Sequence, residues 1–269
     1  MITPISIVIR TFNSEKILPN VLSKLHLTGD DEIIIVDSGS RDSTLDIAQK
    51  FNCKILKLTP PFNYSKALNV GFTTAKNNWV LSLSSHCLPI SPRYLDEWRD
   101  AISTFPNGVA AAFGPALLTA GTLAKINDSV PRQYRRVKDW QQYQQYLAGN
   151  SNALYRKHYW QEYPFNENLN RSEDWDWLIH AEQKQHLTVL VPNAAVLYRN
   201  QGSLRYMFLK GFKDGQITRK MIAADKLSIF NLCIACASTA KKYLWGQIPF
   251  GTLLRQNAHV IGFFWGSRR

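Results

Sequence analysis

The chain has 269 residues, 45% of them hydrophobic, and a formal net charge of +12. That length and apolar content allow one large domain, or one domain with an appendage, and exclude a largely disordered chain. The charge suits polyanionic partners (phosphorylated substrates, anionic lipid or nucleic acid) without choosing among them.

The first half alternates strand and helix signals. Residues 5–9 form a short apolar run suited to a buried strand, and Asn13 or Ser14 caps a helix reaching about Leu25. Residues 32–36 are a second strand, continuous and β-branched as a strand buried on both faces requires. A helix opens near Ser40–Ser43 and a third strand covers 53–58. A helix over 65–75 leads to a fourth strand over 79–83. Pro92 starts a helix that ends near Phe105, and residues 109–113 are a fifth strand. This rhythm predicts an α/β fold: a mostly parallel sheet with right-handed crossovers, flanked by helices.

Residues 119–147 are polar and rich in Gln, Tyr and Arg, and read as an insertion that is flexible or faces an acceptor. Order returns over 149–154, a helix covers 174–184 and a strand covers 188–191. From Ser203 the composition changes. Between Arg205 and Arg269, eleven Lys or Arg stand against Asp214 and Asp225, a net of about +9. Tyr206, Phe212, Trp245 and Trp265 interleave with these bases. The longest uncharged run, 227–240, is shorter than the roughly 20 residues that span a bilayer. Basic and aromatic residues on amphipathic helices read as a membrane-surface element; a packed helical cap and a nucleic-acid patch are the alternatives. No recognised DNA or RNA motif appears, so nucleic acid is not an expected partner. The four cysteines, including the apolar pair Cys233 and Cys236, read as buried thiols. The amino terminus lacks a signal-peptide pattern, so a cytoplasmic domain is expected.

In a doubly wound sheet, ligands bind outside the carboxyl ends of the strands. Three strand ends carry polar clusters there: Arg10-Thr11-Phe12-Asn13, Asp37-Ser38-Gly39-Ser40-Arg41-Asp42 and Ser84-Ser85-His86-Cys87-Leu88-Pro89. Each alone is also a turn former. Together, at neighbouring strand ends, they point to a site.

The ordered set resembles family 2 glycosyltransferases, inverting enzymes with the Rossmann-like GT-A fold, over roughly residues 4–200. The matching motifs are Thr11-Phe12-Asn13, Val36-Asp37-Ser38-Gly39-Ser40-Arg41-Asp42, Ala67-Leu68-Asn69-Val70-Gly71 and the pair Glu173-Asp174. The resemblance implies a GT-A domain over residues 1–202 and a C-terminal helical extension over 203–269. It implies that Thr11, Phe12, Asn13, Asp37, Ser38, Ser84 and Ser85 bind the nucleotide. Asp37 would accept the imide N–H of a pyrimidine base, or else cap its own turn. Lys66 either meets the diphosphate as a point charge or is a solvated helix lysine.

The family's D-x-D metal motif is where this sequence departs. Aligning Leu83 and Pro89 puts Ser84 at the first Asp and His86 at the second. Ser is a poor ligand for a hard ion, whereas neutral imidazole can bind Mn²⁺. Contact with a divalent metal, Mn or Mg, or with the diphosphate is thus expected at His86; because Ser84-Ser85-His86 replaces the motif, weak metal binding or charge neutralisation by Lys and Arg is the alternative. The Ser-x-His-Cys-x-Pro form is similar to a bacterial polysaccharide rhamnosyltransferase subgroup.

Glu173-Asp174 would supply catalysis, with Asp174 as the base that takes the acceptor proton. Asp176 competes for that role, and residues two apart on a helix point to different faces, so only one should reach the acceptor. Trp175, Asp176 and Trp177 would contact the acceptor, unless the Trp rings are core. The implied activity moves a sugar from a UDP- or dTDP-sugar to an acceptor hydroxyl. The acceptor would be a lipid-linked glycan in cell-surface polysaccharide synthesis, met by a peripheral enzyme on the anionic inner face of the cell membrane. The alternative is a catalytically impaired nucleotide-sugar-binding or scaffold protein.

Overall fold

The computed structural model describes residues 2–117, 135–136, 149–169, 171–199, 203–205, 207–209, 211–212, 254 and 256–261. The chain divides into two compact units, residues 1–199 and 200–269. Most of the expected insertion at 119–147, the membrane-surface reading of the tail, and Cys233 and Cys236 lie outside the described residues.

The first unit is built on strands β1 (Ile5–Thr11), β2 (Glu32–Asp37), β3 (Lys54–Lys57) and β4 (Trp79–Ser84). These pair in parallel in the order β3-β2-β1-β4, so the ends of β2, β1 and β4 lie side by side as expected. Helices α1 (Leu18–Leu22), α2 (Thr44–Lys50) and α3 (Tyr64–Thr74) connect them. Strands β1, β2 and β4 are buried along nearly their whole length because both faces are covered. Ile7, Ile9, Leu81 and Trp98 pack on one side, whereas Val8, Val80, Phe72, Tyr155 and Trp177 pack on the other.

Helix α1 is shorter than expected. Asn13 adopts a left-handed backbone (φ 48°) and the Ser14 carbonyl accepts from both Ile17 and Leu18 N–H, so the chain turns before it becomes helical. At the far end Lys24 and Leu25 N–H reach back only three residues, to Val21 and Leu22.

The second half of the sheet departs from the parallel pattern. Strand β5 (Cys87–Pro89) and helix α4 (Tyr94–Thr104) precede β6 (Val109–Phe113) and β7 (Ala116–Leu117). Strands β8 (Arg135–Arg136), β9 (Asn152–Arg156), β10 (Leu187–Leu190) and β11 (Val196–Tyr198) follow. Helices α5 (Lys157–Glu162) and α6 (Glu173–Gln183) lie between β9 and β10. Among the described residues the main sheet has eight strands, continuing β4-β9-β6-β10-β8, with β9 antiparallel to both β4 and β6. A small second sheet, β5-β11-β7, pairs the chain after β4 with residues 196–198.

The Ala67-Leu68-Asn69-Val70-Gly71 segment has a packing explanation. A Cβ at Gly71 would collide with Val8 Cγ1, so glycine lets α3 lie directly on β1 and β2. Asn69 is fully employed: Oδ1 accepts from Trp160 Nε1 (3.2 Å) and Phe165 N–H (3.1 Å). Its Nδ2 donates to the Phe165 carbonyl (2.8 Å) and Glu167 Oε1 (2.9 Å). It thereby ties down the chain that leads into α6. Among the described residues no helix is long and apolar enough to cross a membrane.

Candidate active site

The turn after β2 is organised by Asp37, 1% exposed. Its Oδ1 accepts from Thr11 Oγ1 (2.9 Å) and Ser40 Oγ (2.5 Å). Its Oδ2 accepts from the N–H groups of Gly39 (2.9 Å) and Ser40 (2.8 Å). A carboxylate offers about four acceptor positions, and all are taken here. The side chain caps its own turn, and it joins the β1 and β2 ends through Thr11. Asn13 adds a second link: its N–H donates to Ser40 Oγ (2.9 Å) and its Oδ1 accepts from Arg41 N–H (2.9 Å). Ser38 N–H donates to the Thr11 carbonyl (3.0 Å). Phe12, beside this braced double turn, is 62% exposed. A large apolar ring held out on rigid backbone is available to a flat ligand.

At the end of β4, Ser84 and Ser85 are buried, and Ser85 Oγ lies 3.0 Å from Ser14 Oγ. The His86 ring packs edge-on to Tyr198 at 4.8 Å, and its carbonyl accepts from Arg199 N–H. Among the described residues, two hydroxyls and an imidazole without a carboxylate form a poor donor set for a hard divalent ion. Among the described residues no three His, Cys, Asp or Glu side chains gather as ligands. Arg10 is moreover the register partner of Ser84 across β1 and β4, which sets a cation on the strand beside that position. The described residues do not by themselves fit the metal expected at His86.

Lys66, in the first turn of α3, reaches the Thr59 carbonyl at 3.5 Å. Arg10, at the end of β1, lies with its guanidinium carbon 5.2 Å from the centre of the Tyr64 ring. Arg171 lies over the same ring at 5.6 Å.

Helix α6 begins after Ser172, which is left-handed (φ 62°). Its buried stripe is Glu173, Trp177 and Ala181, spaced by four. Trp177, expected at the acceptor, is therefore core: it is 1% exposed and meets Tyr155 edge-on at 4.9 Å. A ring enclosed in this way cannot stack on a sugar. Asp176 leaves by another face, where Oδ2 accepts from Tyr163 Oη at 2.9 Å. Trp175 is half-buried.

Asp174 differs from both. It is half-buried, with Oδ1 accepting from Trp175 N–H (2.9 Å) and Oδ2 from Asn150 N–H (3.3 Å). Burial, then the adjacent Glu173 carboxylate, push its carboxyl from the ordinary 3.8 up to about 7. Gly149 makes the approach possible. It sits at φ 52°, and a Cβ there would strike Asp174 Oδ2. Glu173 faces inward and accepts from Asn150 Nδ2 (3.1 Å), with Arg10 Nη1 3.5 Å away.

Asn150 is the hub that sequence reading missed. Besides holding Glu173 and Asp174, it accepts from Tyr155 Oη (2.7 Å) at Oδ1 and from Ser82 Oγ (2.6 Å) at its carbonyl. The available signal was the polar run Gly149-Asn150-Ser151-Asn152 immediately before an apolar strand, which places polar side chains at a sheet end.

The arrangement is a braced double turn, a cationic cluster and a base-like carboxylate at one end of a sheet. A family model described as "Glycosyl transferase family 2" matches residues 6–179, which includes every one of these elements. The chain belongs to glycosyltransferase family 2. Solved structures agree with the GT-A fold that this family membership brings. A mannosyltransferase from Pyrobaculum calidifontis, in complex with GDP-Man and Mn²⁺, superposes with TM-score 0.64 at 14% identity, over 96% of this chain and 85% of that one. Glucosyl-3-phosphoglycerate synthase from Mycobacterium tuberculosis, with Mn²⁺, UDP and phosphoglyceric acid, gives 0.61 at 15% identity, over 82% and 78%. S. aureus TarS 1–349 gives 0.59 at 16% identity, over 99% and 91%. No curated protein matches the sequence. As a family 2 glycosyltransferase, the chain departs from the D-x-D pattern at Ser84 and keeps the Glu173-Asp174 pair.

Proposed function

We propose that this family 2 glycosyltransferase inverts at the anomeric carbon, moving a sugar from a nucleoside-diphosphate donor to an acceptor hydroxyl with Asp174 as general base. The observation that carries this is the Asp174 carboxylate, pushed up to about 7 and seated against Gly149 and Asn150 at the carboxyl end of the sheet. A base of that strength is matched to neutral pH. The acceptor hydroxyl attacks the anomeric carbon while Asp174 takes its proton, and the diphosphate departs from the opposite face.

Thr11, Asp37, Ser40 and Asn13 hold the double turn in shape, and Phe12 offers its exposed ring to the nucleoside. Glu173 fixes Asn150, which in turn fixes the Asp174 carboxylate. Ser84 and Ser85 line the floor beneath the diphosphate, and Trp175 flanks the acceptor side. The donors in this reading are UDP- or dTDP-hexoses, rhamnose included, as the Ser84-Ser85-His86-Cys87 segment favours. The acceptor is a lipid-linked glycan of surface polysaccharide synthesis, reached from the cytoplasmic membrane face through the basic, aromatic residues 203–269.

The test is turnover. The purified chain is incubated with UDP-, GDP- and dTDP-sugars and a lipid-linked glycan extract, and release of nucleoside diphosphate is followed. Acceptor-dependent release is expected. Donor binding without any turnover would favour the second reading, a catalytically impaired binding protein, for which the loss of both D-x-D carboxylates speaks. Separately, removing 203–269 is expected to reduce binding to anionic vesicles, and unchanged binding would point to a packed cap.

A further inference from the structure

The loss of the D-x-D carboxylates leaves the donor's pyrophosphate charge to be met by other groups. Arg10 and Ser84 are register partners on parallel neighbouring strands, so their side chains leave the sheet on the same face. On that face Ser82 meets Asn150, which binds Glu173 and Asp174, and Arg10 Nη1 reaches to 3.5 Å from Glu173. A guanidinium in that place repels a divalent cation and attracts a phosphate.

The local geometry is that of an anion clamp. Arg10 and Arg171 both lie over Tyr64, at 5.2 Å and 5.6 Å, and cation–π contact with one rigid ring holds the two guanidinium groups near each other. Tyr64 is the first residue of α3, whose N-terminal dipole adds partial positive charge there. Arg10 Nη1 is ion-paired with Glu173 Oε1 at 3.5 Å, yet it is buried and donates no hydrogen bond. A buried guanidinium N–H without an acceptor calls for one, and planar guanidinium forks match phosphate oxygens.

We infer that Arg10 and Arg171, mounted over Tyr64, bind the donor's pyrophosphate in place of a divalent metal ion, so that sugar transfer by this chain is metal-independent. The inference rests on the glycosyltransferase reading. In the transfer step, the bond from the anomeric carbon to the β-phosphate oxygen breaks and its electron pair stays on that oxygen. The guanidinium groups neutralise the charge that develops there. The acceptor oxygen bonds to the anomeric carbon, and its proton passes to Asp174.

The experiment titrates the full chain calorimetrically with UDP, GDP and dTDP, each in EDTA and in Mn²⁺. At least one is expected to bind with a Kd that differs by no more than about twofold between the two conditions. In EDTA, Arg171→Ala is expected to weaken that binding about tenfold or more, as charge-assisted phosphate contacts do, with Arg171→Lys in between. Ser84→Asp, which sets a carboxylate beside Arg10, is expected to weaken it as well. Arg10→Lys serves where Arg10→Ala fails to fold, and is expected to lose affinity with an unchanged thermal melt. Binding that needs Mn²⁺, or Arg171→Ala with the wild-type Kd, overturns this inference and leaves the glycosyltransferase reading in place. No binding of any of the three in either condition overturns both.

Discussion

Replacing Asp174 by Asn should trade activity for stability, and the structure sets the size of the exchange. The folded carboxyl keeps its proton to about pH 7, whereas the ordinary value is 3.8. Between those values the folded state binds more protons than the unfolded one, so stability falls as pH rises through about 4 to 7 and then levels off. A shift of about 3 units corresponds to a ceiling of about 4 kcal/mol. Asp174 is only half-buried, and solvent screening brings the expectation to about 1–2 kcal/mol. Asn keeps the shape but cannot ionise, so the variant should lack this slope. Urea denaturation of wild type and Asp174→Asn at pH 4.5 and pH 8 reads it directly. The variant should be about 1 kcal/mol the more stable at pH 8, after loss of the long Asn150 hydrogen bond. Its transfer rate should drop by about 10²–10⁴, the usual range for a general base, with nucleotide affinity retained. A difference in stability that does not change with pH, or full transfer activity, would refute the assignment.

Other consequences are open to measurement. Because the base must be ionised, kcat/KM should rise with pH through about 7 and then flatten, and a profile flat from pH 5 would exclude Asp174. Gly149→Ala should displace the base without touching the nucleotide turn, costing about 100-fold in transfer and little in nucleotide affinity. Asn150→Ala strips partners from Glu173 and Tyr155, so a loss of about 2–3 kcal/mol is expected in urea denaturation. Gly71→Ala forces a methyl group into Val8 and should cost about 1–3 kcal/mol in the same assay.

The sequence by itself determined the elements whose signals are local. Strands β1, β2 and β4 are predominantly apolar runs, as strands buried on both faces tend to be whatever their neighbours. Their polar ends were legible for the same reason, since a change from apolar to polar marks where a buried strand meets solvent. Helix α3 was legible from its apolar spacing, with Asn63 in fact capping it through Lys66 N–H. The pair Glu173-Asp174 stood out only within the ordered set of motifs.

The tertiary structure decided what depends on partners distant in sequence. Strand β9 lies antiparallel between β4 and β6 because strands far apart in the chain need it there, and nothing within residues 152–156 states that direction. Asn150 is a hub because Ser82, Tyr155, Glu173 and Asp174 arrive around it from four places in the chain. The fates of Asp174, Asp176 and Trp177 were separated by helix rotation: the stripe at 173, 177 and 181 turns inward and carries Trp177 with it. Asp37 shows the limit most directly. Its residue type and motif do not state which groups it caps, and only the positions of Thr11, Gly39 and Ser40 show the turn contacts it makes. Local pattern fixes which residues are buried or turned. Which polar groups meet, and therefore which carboxylate is raised towards neutrality, is fixed by packing between segments that the sequence keeps far apart.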